Sequence, residues 1–418
     1  MIPTTKSHAR IVAGIAMATA LGAAGAMSAT TPSAVAVPVN GCPALYVLGV
    51  QGTGQSSPVA DPLVDTGMLG ALLGPVVAAV PDLVQRSYIA YPAGFGGAVG
   101  TGGGPDAYAD SVRDGVAALE ATAQRIAADC PDTALAVVGY SQGAQVVSEF
   151  ARAVGAGEGP VRPERVAGIA LYSDPDRAPG SPVIPGRPGQ LTPDPAPGTA
   201  GAAVSTVAIT TAPASGSGIA AGDGVDYGAL TGRVASICVE GDLSCAAPDH
   251  AALLRMAAEI AAQADLRDPL AALGSIQALL SDVLGDAWIT VVNRDFRLGP
   301  GVVDYVPAAS LAQRLTAAAD PRTSPSSPEE TAAATARWAQ IVGVVASDPV
   351  GQLPKLAAQL SGAWGQLVAD NADLMNPTVW LRYSDLVGRH TGYAATGQLA
   401  SGIAWMTALA RDLAGRQP

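Results

Sequence analysis

Residues 134–147 read ALAVVGYSQGAQVV. Ala134 to Gly139 is a short apolar run, the pattern of a strand buried on both faces. Gln142 to Val154 continues with helical spacing. Between them, Gly139-Tyr-Ser-Gln-Gly143 is a G-x-S-x-G pentapeptide at a strand-to-helix turn, the setting a nucleophile elbow requires. The two glycines let the backbone turn sharply. The Ser141 hydroxyl then stands above the carboxyl edge of a sheet, and the helix N-terminus aims N–H groups at any oxyanion that develops there. The pentapeptide alone is a weak signal in a glycine-rich chain; its place between strand and helix gives it weight.

The alternation continues on both sides. Ala44 to Val50, Val84 to Tyr91, Val166 to Tyr172 and Gly232 to Val239 read as strands. Thr66 to Val80 and Asp106 to Asp129 read as helices. Near-continuous apolar strands alternating with helices predict an α/β fold, a central parallel sheet covered on both faces. Asp174 to about Gly224 is rich in Pro, Gly, Ser and Thr and reads as a long surface loop with one short strand at Val204 to Thr210. From His250 to about Leu386 the chain turns Ala/Leu-rich and mostly helical, with helices expected at Leu253 to Ala264, Leu270 to Leu284, Ala308 to Ala319, Pro328 to Ser347 and Leu353 to Asn371. Asp320 to Pro328 (DPRTSPSSP) reads as a linker within it.

The chain has 418 residues, enough for two or three domains or one large domain with an insertion. Hydrophobic residues make up 49% and charged residues 14%, which excludes a disordered, charge-rich chain. The net charge of −12 and the lack of any basic stripe exclude a nucleic-acid partner and argue against attachment to an anionic membrane by charge. Lys6 and Arg10, the apolar Ile11 to Ala26 and the Ala34-Val35-Ala36 pattern describe a secretory signal peptide over residues 1–36; an uncleaved anchor is the competing reading. No other window of about 20 uninterrupted apolar residues follows, so the mature chain is expected to be secreted or held in the cell envelope without a stable membrane span. Nothing in the sequence sets an oligomeric state.

Export changes how the cysteines read. Cys42, Cys130, Cys238 and Cys245 are an even number beyond the signal, which favours two disulfides among three possible pairings. Cys238 and Cys245 can close a tight loop, which leaves Cys42 with Cys130. Their spacing does not fit paired C-x-x-C zinc knuckles, so no metal is expected.

A serine nucleophile needs a base, usually His. The chain has three: His8 in the signal peptide, His250 and His390. The orienting acid belongs on a later strand-end loop. Asp242 lies just past the strand ending near Val239, between Cys238 and Cys245; Asp174, after the fourth strand, is the alternative and reads equally as a turn residue.

These residues together resemble the cutinase family of serine esterases, especially actinobacterial cutinase-like proteins. The resemblance rests on Cys42 before the first strand, Gly52-Thr53-Gly54 after it, Cys130 before the elbow strand, the Gly-Tyr-Ser-Gln-Gly elbow, and Cys238-Val-Glu-Gly-Asp-Leu-Ser-Cys245 as the acid loop. It implies an α/β-hydrolase three-layer sandwich, disulfides Cys42–Cys130 and Cys238–Cys245, and an oxyanion hole from the backbone N–H groups of Thr53 and Gln142. The family's histidine is usually followed three residues later by Tyr and then by a final helix; His390-Thr-Gly-Tyr393 and Ser401 to Ala414 match this, whereas His250 is followed by Ala-Ala-Leu. The catalytic set expected is Ser141, Asp242 and His390, without metal or organic cofactor.

With His390 as base, about 140 residues separate it from the acid loop. The expected organisation is a hydrolase core over 37–250, a helical insertion or cap over 251–385, and a return to the core over 386–418. Leu270, Leu279, Leu280 and Leu284, with Trp338, Ile341, Val342 and Val345, either line a trough for acyl chains or pack the cap's own interior. Trp380, Leu381, Tyr383 and Leu386 are candidates for the pocket wall or for core. The expected function is hydrolysis of a lipid or cell-envelope ester. The alternatives are acyl transfer by the same residues and a non-catalytic envelope-binding protein.

Overall fold

The computed structural model describes residues 41–416, apart from 212 and 221–225. The signal peptide read over residues 1–36 lies outside the described residues. The chain forms β1 (Leu45–Val50), α1 (Gly67–Ala79), β2 (Val84–Tyr88), α2 (Tyr108–Asp129), β3 (Ala134–Tyr140), α3 (Gln142–Ala156), β4 (Val166–Tyr172) and β5 (Val234–Ile237). The five strands make one parallel sheet in the order β2-β1-β3-β4-β5. Alternate strand residues enter opposite layers, as a period of two requires. Leu45, Val47, Ala136 and Val138 pack with Leu69 and Leu72 of α1 and with Trp405 and Leu409 near the C-terminus. Tyr46, Leu48, Leu135 and Val137 pack with Leu119 of α2 and with Val147 and Phe150 of α3. The result is a three-layer α/β-hydrolase sandwich.

After β5 come α4 (Ala252–Gln263), α5 (Pro269–Arg294), a hairpin of β6 (Phe296–Gly299) and β7 (Val302–Tyr305), α6 (Leu311–Ala319), α7 (Pro328–Ser347), α8 (Pro349–Ala369), α9 (Pro377–Leu381) and α10 (Leu386–Thr391). The last helix, α11 (Ala400–Ala414), rejoins the sandwich. Local chemistry sets several starts. Ser310 with Gln313 and Ser327 with Glu330 form capping boxes on α6 and α7, and Asp268 caps α5. Among the described residues α5 alone is long and apolar enough to cross a membrane, but Asp282 and Asp286 interrupt it. Its Val291 and Val292 pack with Phe296, Ile341 and Leu356 in a separate helical core.

Two sequence expectations need correction, the strand at 204–210 and the end of α5. No strand forms at Val204 to Thr210; residues 204–206 make a 3₁₀ turn. The Asp412 carboxylate of α11 accepts from the Ala203 and Val204 N–H groups, so this backbone pairs with a side chain rather than a strand. The region after His250 is mostly helical as expected, with one hairpin, β6–β7, that the sequence reading missed; Gly299-Pro-Gly301 makes its turn. Finally, α5 extends ten residues past Leu284, to Arg294.

Candidate active site

Ser141 occupies the turn from β3 into α3 with φ 55° and ψ −124°, a conformation that costs energy for a residue with a Cβ. Close packing on either side holds it there. A Cβ on Gly143 would lie 2.0 Å from the Val50 carbonyl oxygen, and one on Gly139 would lie 2.4 Å from that of Gly143. The Ser141 N–H donates to the Tyr172 carbonyl at 2.9 Å, which ties the turn to β4.

The structure brings Ser141, His390 and Asp242 into one line. Ser141 Oγ lies 2.9 Å from His390 Nε2. His390 Nδ1 lies 2.9 Å from Asp242 Oδ1. Asp242 is fully buried in the loop after β5, which the Cys238–Cys245 disulfide closes; a second disulfide joins Cys42 to Cys130. The Tyr393 hydroxyl donates to Asp242 Oδ2 at 2.8 Å, and the Ser244 N–H donates to Oδ1 at 3.1 Å. Burial pushes the Asp242 carboxyl up, but hydrogen bonds from His390, Ser173 and Tyr393 and the charge of His390 outweigh it and hold the carboxyl below the usual range.

The other candidates lie elsewhere. His250 is exposed at the start of α4, where its N–H donates to Asp373 Oδ2 and its carbonyl accepts the Asp373 N–H, both at 3.0 Å. Asp174 Oδ1 accepts the Asp176 N–H at 3.0 Å, a turn contact. Thr53 lines the same cavity as Ser141, and Gln142 opens α3. Among the described residues, neither the Thr53 nor the Gln142 backbone N–H has a protein acceptor.

Two site residues escaped the sequence reading. Ser173 Oγ lies 3.1 Å from His390 Nδ1, and Ser173 has φ 57°, the same unusual region as Ser141. Its signal was positional: it follows β4 as Ser141 follows β3, at the carboxyl edge of adjacent strands. Tyr140, inside the pentapeptide, donates from its hydroxyl to the His390 carbonyl at 2.7 Å and so anchors the end of α10.

Ser141 and His390 open on a cavity of about 1050 Å³. Its apolar walls come from Val112 and Val116 of α2, Ala258 and Ala262 of α4, and Leu386 and Val387 of α10. None of Leu270, Leu279, Leu280, Leu284, Trp338, Ile341, Val342 and Val345 lines it. Ile341 is buried in the helical core, and Leu270 and Leu284 point to solvent. Of the four aromatic and aliphatic residues before His390, only Leu386 reaches the cavity; Tyr383 instead donates to the Ala246 carbonyl at 2.6 Å.

The family model for cutinase matches residues 41–254. A carboxylesterase Culp6 homolog of Corynebacterium glutamicum is 27% identical over 217 residues, 50% of this chain and 66% of that protein. An acetylxylan esterase of Hypocrea jecorina is 37% identical over 105 residues, 25% of this chain and 31% of that one. The chain thus spans less than two thirds of either relative. Among solved structures, the catalytic core domain of acetyl xylan esterase from Trichoderma reesei matches with a TM-score of 0.35 and 23% identity, covering 57% of this chain and 99% of that one.

Proposed function

This chain belongs to the cutinase family, and from that premise we propose that it is an exported serine esterase acting on carboxylic esters. One observation carries the reading: the Ser141–His390–Asp242 hydrogen-bonded line ends at a cavity large enough for an ester with a long substituent.

In this mechanism His390 Nε2 takes the proton of Ser141 Oγ as the oxygen attacks the ester carbonyl. Asp242 accepts from Nδ1–H, fixes the tautomer and stabilises the imidazolium. The free N–H groups of Thr53 and Gln142 hold the tetrahedral oxyanion, with the N-terminus of α3 adding its dipole. Collapse expels the alcohol, which takes its proton from His390. Water, deprotonated by His390, then attacks the acyl-enzyme and releases the acid. Every step uses groups of this chain.

The two disulfides suit an oxidising, extracellular compartment, as the signal peptide reading expects. The helical region is read as a cap because α4 supplies cavity wall, with Ala258 and Ala262. The long apolar walls favour a lipid or cell-envelope ester.

The test is hydrolysis of p-nitrophenyl butyrate by the mature chain beside its Ser141→Ala, His390→Ala and His250→Ala variants. The first two should lose at least a thousandfold in kcat, and the third should retain activity. Loss with His250→Ala and retention with His390→Ala would refute the assignment. Failure of Ser141 to react with a fluorophosphonate would favour a non-catalytic binding protein.

A further inference from the structure

The cavity has a second end. Ser141, Gln145 and Glu149 recur at the helical spacing along α3, so Glu149 lies two turns beyond the serine, an axial rise of about 12 Å. Four polar side chains of the lining belong with it: Gln145 and Glu149 of α3, Glu259 of α4 and Arg322 of the segment between α6 and α7. The Tyr108 hydroxyl donates to Gln145 Oε1 at 2.8 Å. Glu259 is only 7% exposed, faces the cavity, and has no hydrogen-bond donor on its carboxyl among the described residues. Glu149 has the Gln145 amide as its hydrogen-bond partner and feels the charges of Asp176, Arg152 and Arg322.

The charges around this end do not balance. Asp174, Asp176 and Asp320 join Glu149 and Glu259, making five carboxyls. Three guanidiniums, Arg152, Arg322 and Arg177, face them, and the hydrogen bonds of all three are already committed. Arg152 pairs with Asp176 at 2.7 Å. Arg322 pairs with Asp176 at 3.0 Å and Asp320 at 2.9 Å, and donates to the Ala220 carbonyl. The nearby Arg177 spends its guanidinium on the carbonyls of Ser181, Ala214, Gly216 and Cys245. Asp174 is 1% exposed, and its Oδ2 has no partner. A buried carboxyl oxygen without a partner is costly, and natural sites rarely keep one without a use.

We propose that this end of the cavity is a subsite for a cationic group, an ammonium carried on the substrate's chain about 12 Å from the ester carbon and held between the carboxylates of Glu149 and Glu259. The apolar lining of the cavity receives the chain, and the carboxyls receive its charged terminus. A hydroxyl terminus would satisfy one carboxyl at most and leave the excess negative charge in place; a cation neutralises it. The titration of the groups sets the condition: two of these carboxyls hold protons near neutral pH and carry the negative charge in mildly alkaline buffer or with a cation bound. Burial, then the charges of Asp320, Asp176 and Glu149 against that of Arg322, pushes Glu259 up to about 8. Burial and Asp176 likewise push Asp174 up to about 8. A bound cation supplies the charge whose lack raises them.

The inference rests on the esterase reading only in calling the occupant part of a substrate, so it is tested without turnover. Octylammonium, 1-octanol and octanoate are titrated calorimetrically into the Ser141→Ala chain in mildly alkaline buffer. Octylammonium should bind at least tenfold more tightly than 1-octanol, and octanoate most weakly. The Glu149→Gln/Glu259→Gln double variant should bring octylammonium and 1-octanol to within twofold. Thermal unfolding is recorded for each variant; if the double variant does not fold, Glu149→Gln alone, at the less buried position, should remove most of the preference. Equal or tighter binding of 1-octanol would overturn the proposal, as would an ammonium preference that survives the substitutions or no binding by any of the three. A wild-type chain inert towards esters would refute the esterase reading and leave this result standing.

Discussion

Replacing Tyr393 with Phe isolates one hydroxyl. The ring is fully buried and sits edge-on to Tyr140 and Tyr172, with centroids 6.0 and 6.1 Å away, and Phe keeps those contacts. What is lost is the hydrogen bond to Asp242 Oδ2 at 2.8 Å and the acceptor for the Val239 N–H at 3.2 Å. A hydrogen bond to a charged group contributes about 1.5–3 kcal/mol, and an orphaned buried N–H costs at least about 1 kcal/mol more. The expected loss is therefore about 2–4 kcal/mol, several degrees in the unfolding temperature. The sign with pH follows from Asp242, whose folded carboxyl is held below its unfolded value. Its contribution is present above the unfolded pKa and lost as pH falls through the folded one. Removing the Tyr393 donor raises the folded value, so the variant loses both stability and ester hydrolysis at a higher pH on the acid side. At neutral pH kcat/KM should fall about tenfold, or about 1.4 kcal/mol, because Asp242 keeps its bond to His390 but is less firmly oriented. Thermal unfolding and a pH–rate profile are the assays. A loss under about 0.5 kcal/mol with an unmoved acid limb would refute the view that Tyr393 positions the acid.

The two disulfides should separate stability from activity. Closing a loop of 88 residues contributes about 4.6 kcal/mol and one of 7 about 2.4 kcal/mol on chain entropy, so removing Cys42–Cys130 should lower the unfolding temperature more, while removing Cys238–Cys245 should cost more activity by freeing the Asp242 loop. Ser141→Gly should be inactive yet more stable than Ser141→Ala by about 1 kcal/mol, because glycine relieves the positive φ; equal unfolding temperatures would contradict the strain. Glu259 and Asp174 have folded pKa values raised to about 8, so their contribution to stability is whole below their unfolded values and is lost as pH rises through about 8. The unfolding temperature should fall from mildly acidic to mildly alkaline buffer, and Glu259→Gln should flatten that slope.

The sandwich was legible because its signals are local. Each strand is a short apolar run, and the elbow carries its own turn chemistry in Gly139 and Gly143. The likeness of His390-Thr-Gly-Tyr393 to the family pattern separated His390 from His250 before any geometry was known. The cavity walls were not legible, for a physical reason. Apolar residues on an insertion have two places to be buried, against each other or against a substrate, and spacing does not distinguish them. Ile341 went to the helical core, and the small Ala258 and Ala262, which no hydrophobic ranking singles out, went to the cavity. Arg322 was hidden because its segment, rich in Pro and Ser, looks passive; its partner Asp176 lies 146 residues away. Ser173 was hidden because its one signal, a place after β4 like that of Ser141 after β3, comes with no motif of its own.

Asp242 and His390, the proposed acid and base, lie 148 residues apart in the chain, yet the structure holds them within hydrogen-bond distance. Closing a flexible loop of that length costs about 4–5 kcal/mol, more than one His–Asp contact supplies. The fold meets this cost in steps. The base of the helical region is closed on itself: the Leu253 N–H donates to Asn371 Oδ1 at 2.7 Å, and the His250 and Asp373 backbones pair at 3.0 Å. The returning segment then follows the acid loop. Arg382 pairs with Glu240 at 3.2 Å, Tyr383 donates to the Ala246 carbonyl, and Tyr393 reaches Asp242. Only 17 residues separate Asp373 from His390, so the closure that sets the site is a short one. An insertion closed at its own base leaves the core geometry nearly independent of what lies inside it. That independence frees α4 and the Arg322 segment to shape the far end of the cavity without disturbing the line from Ser141 to Asp242.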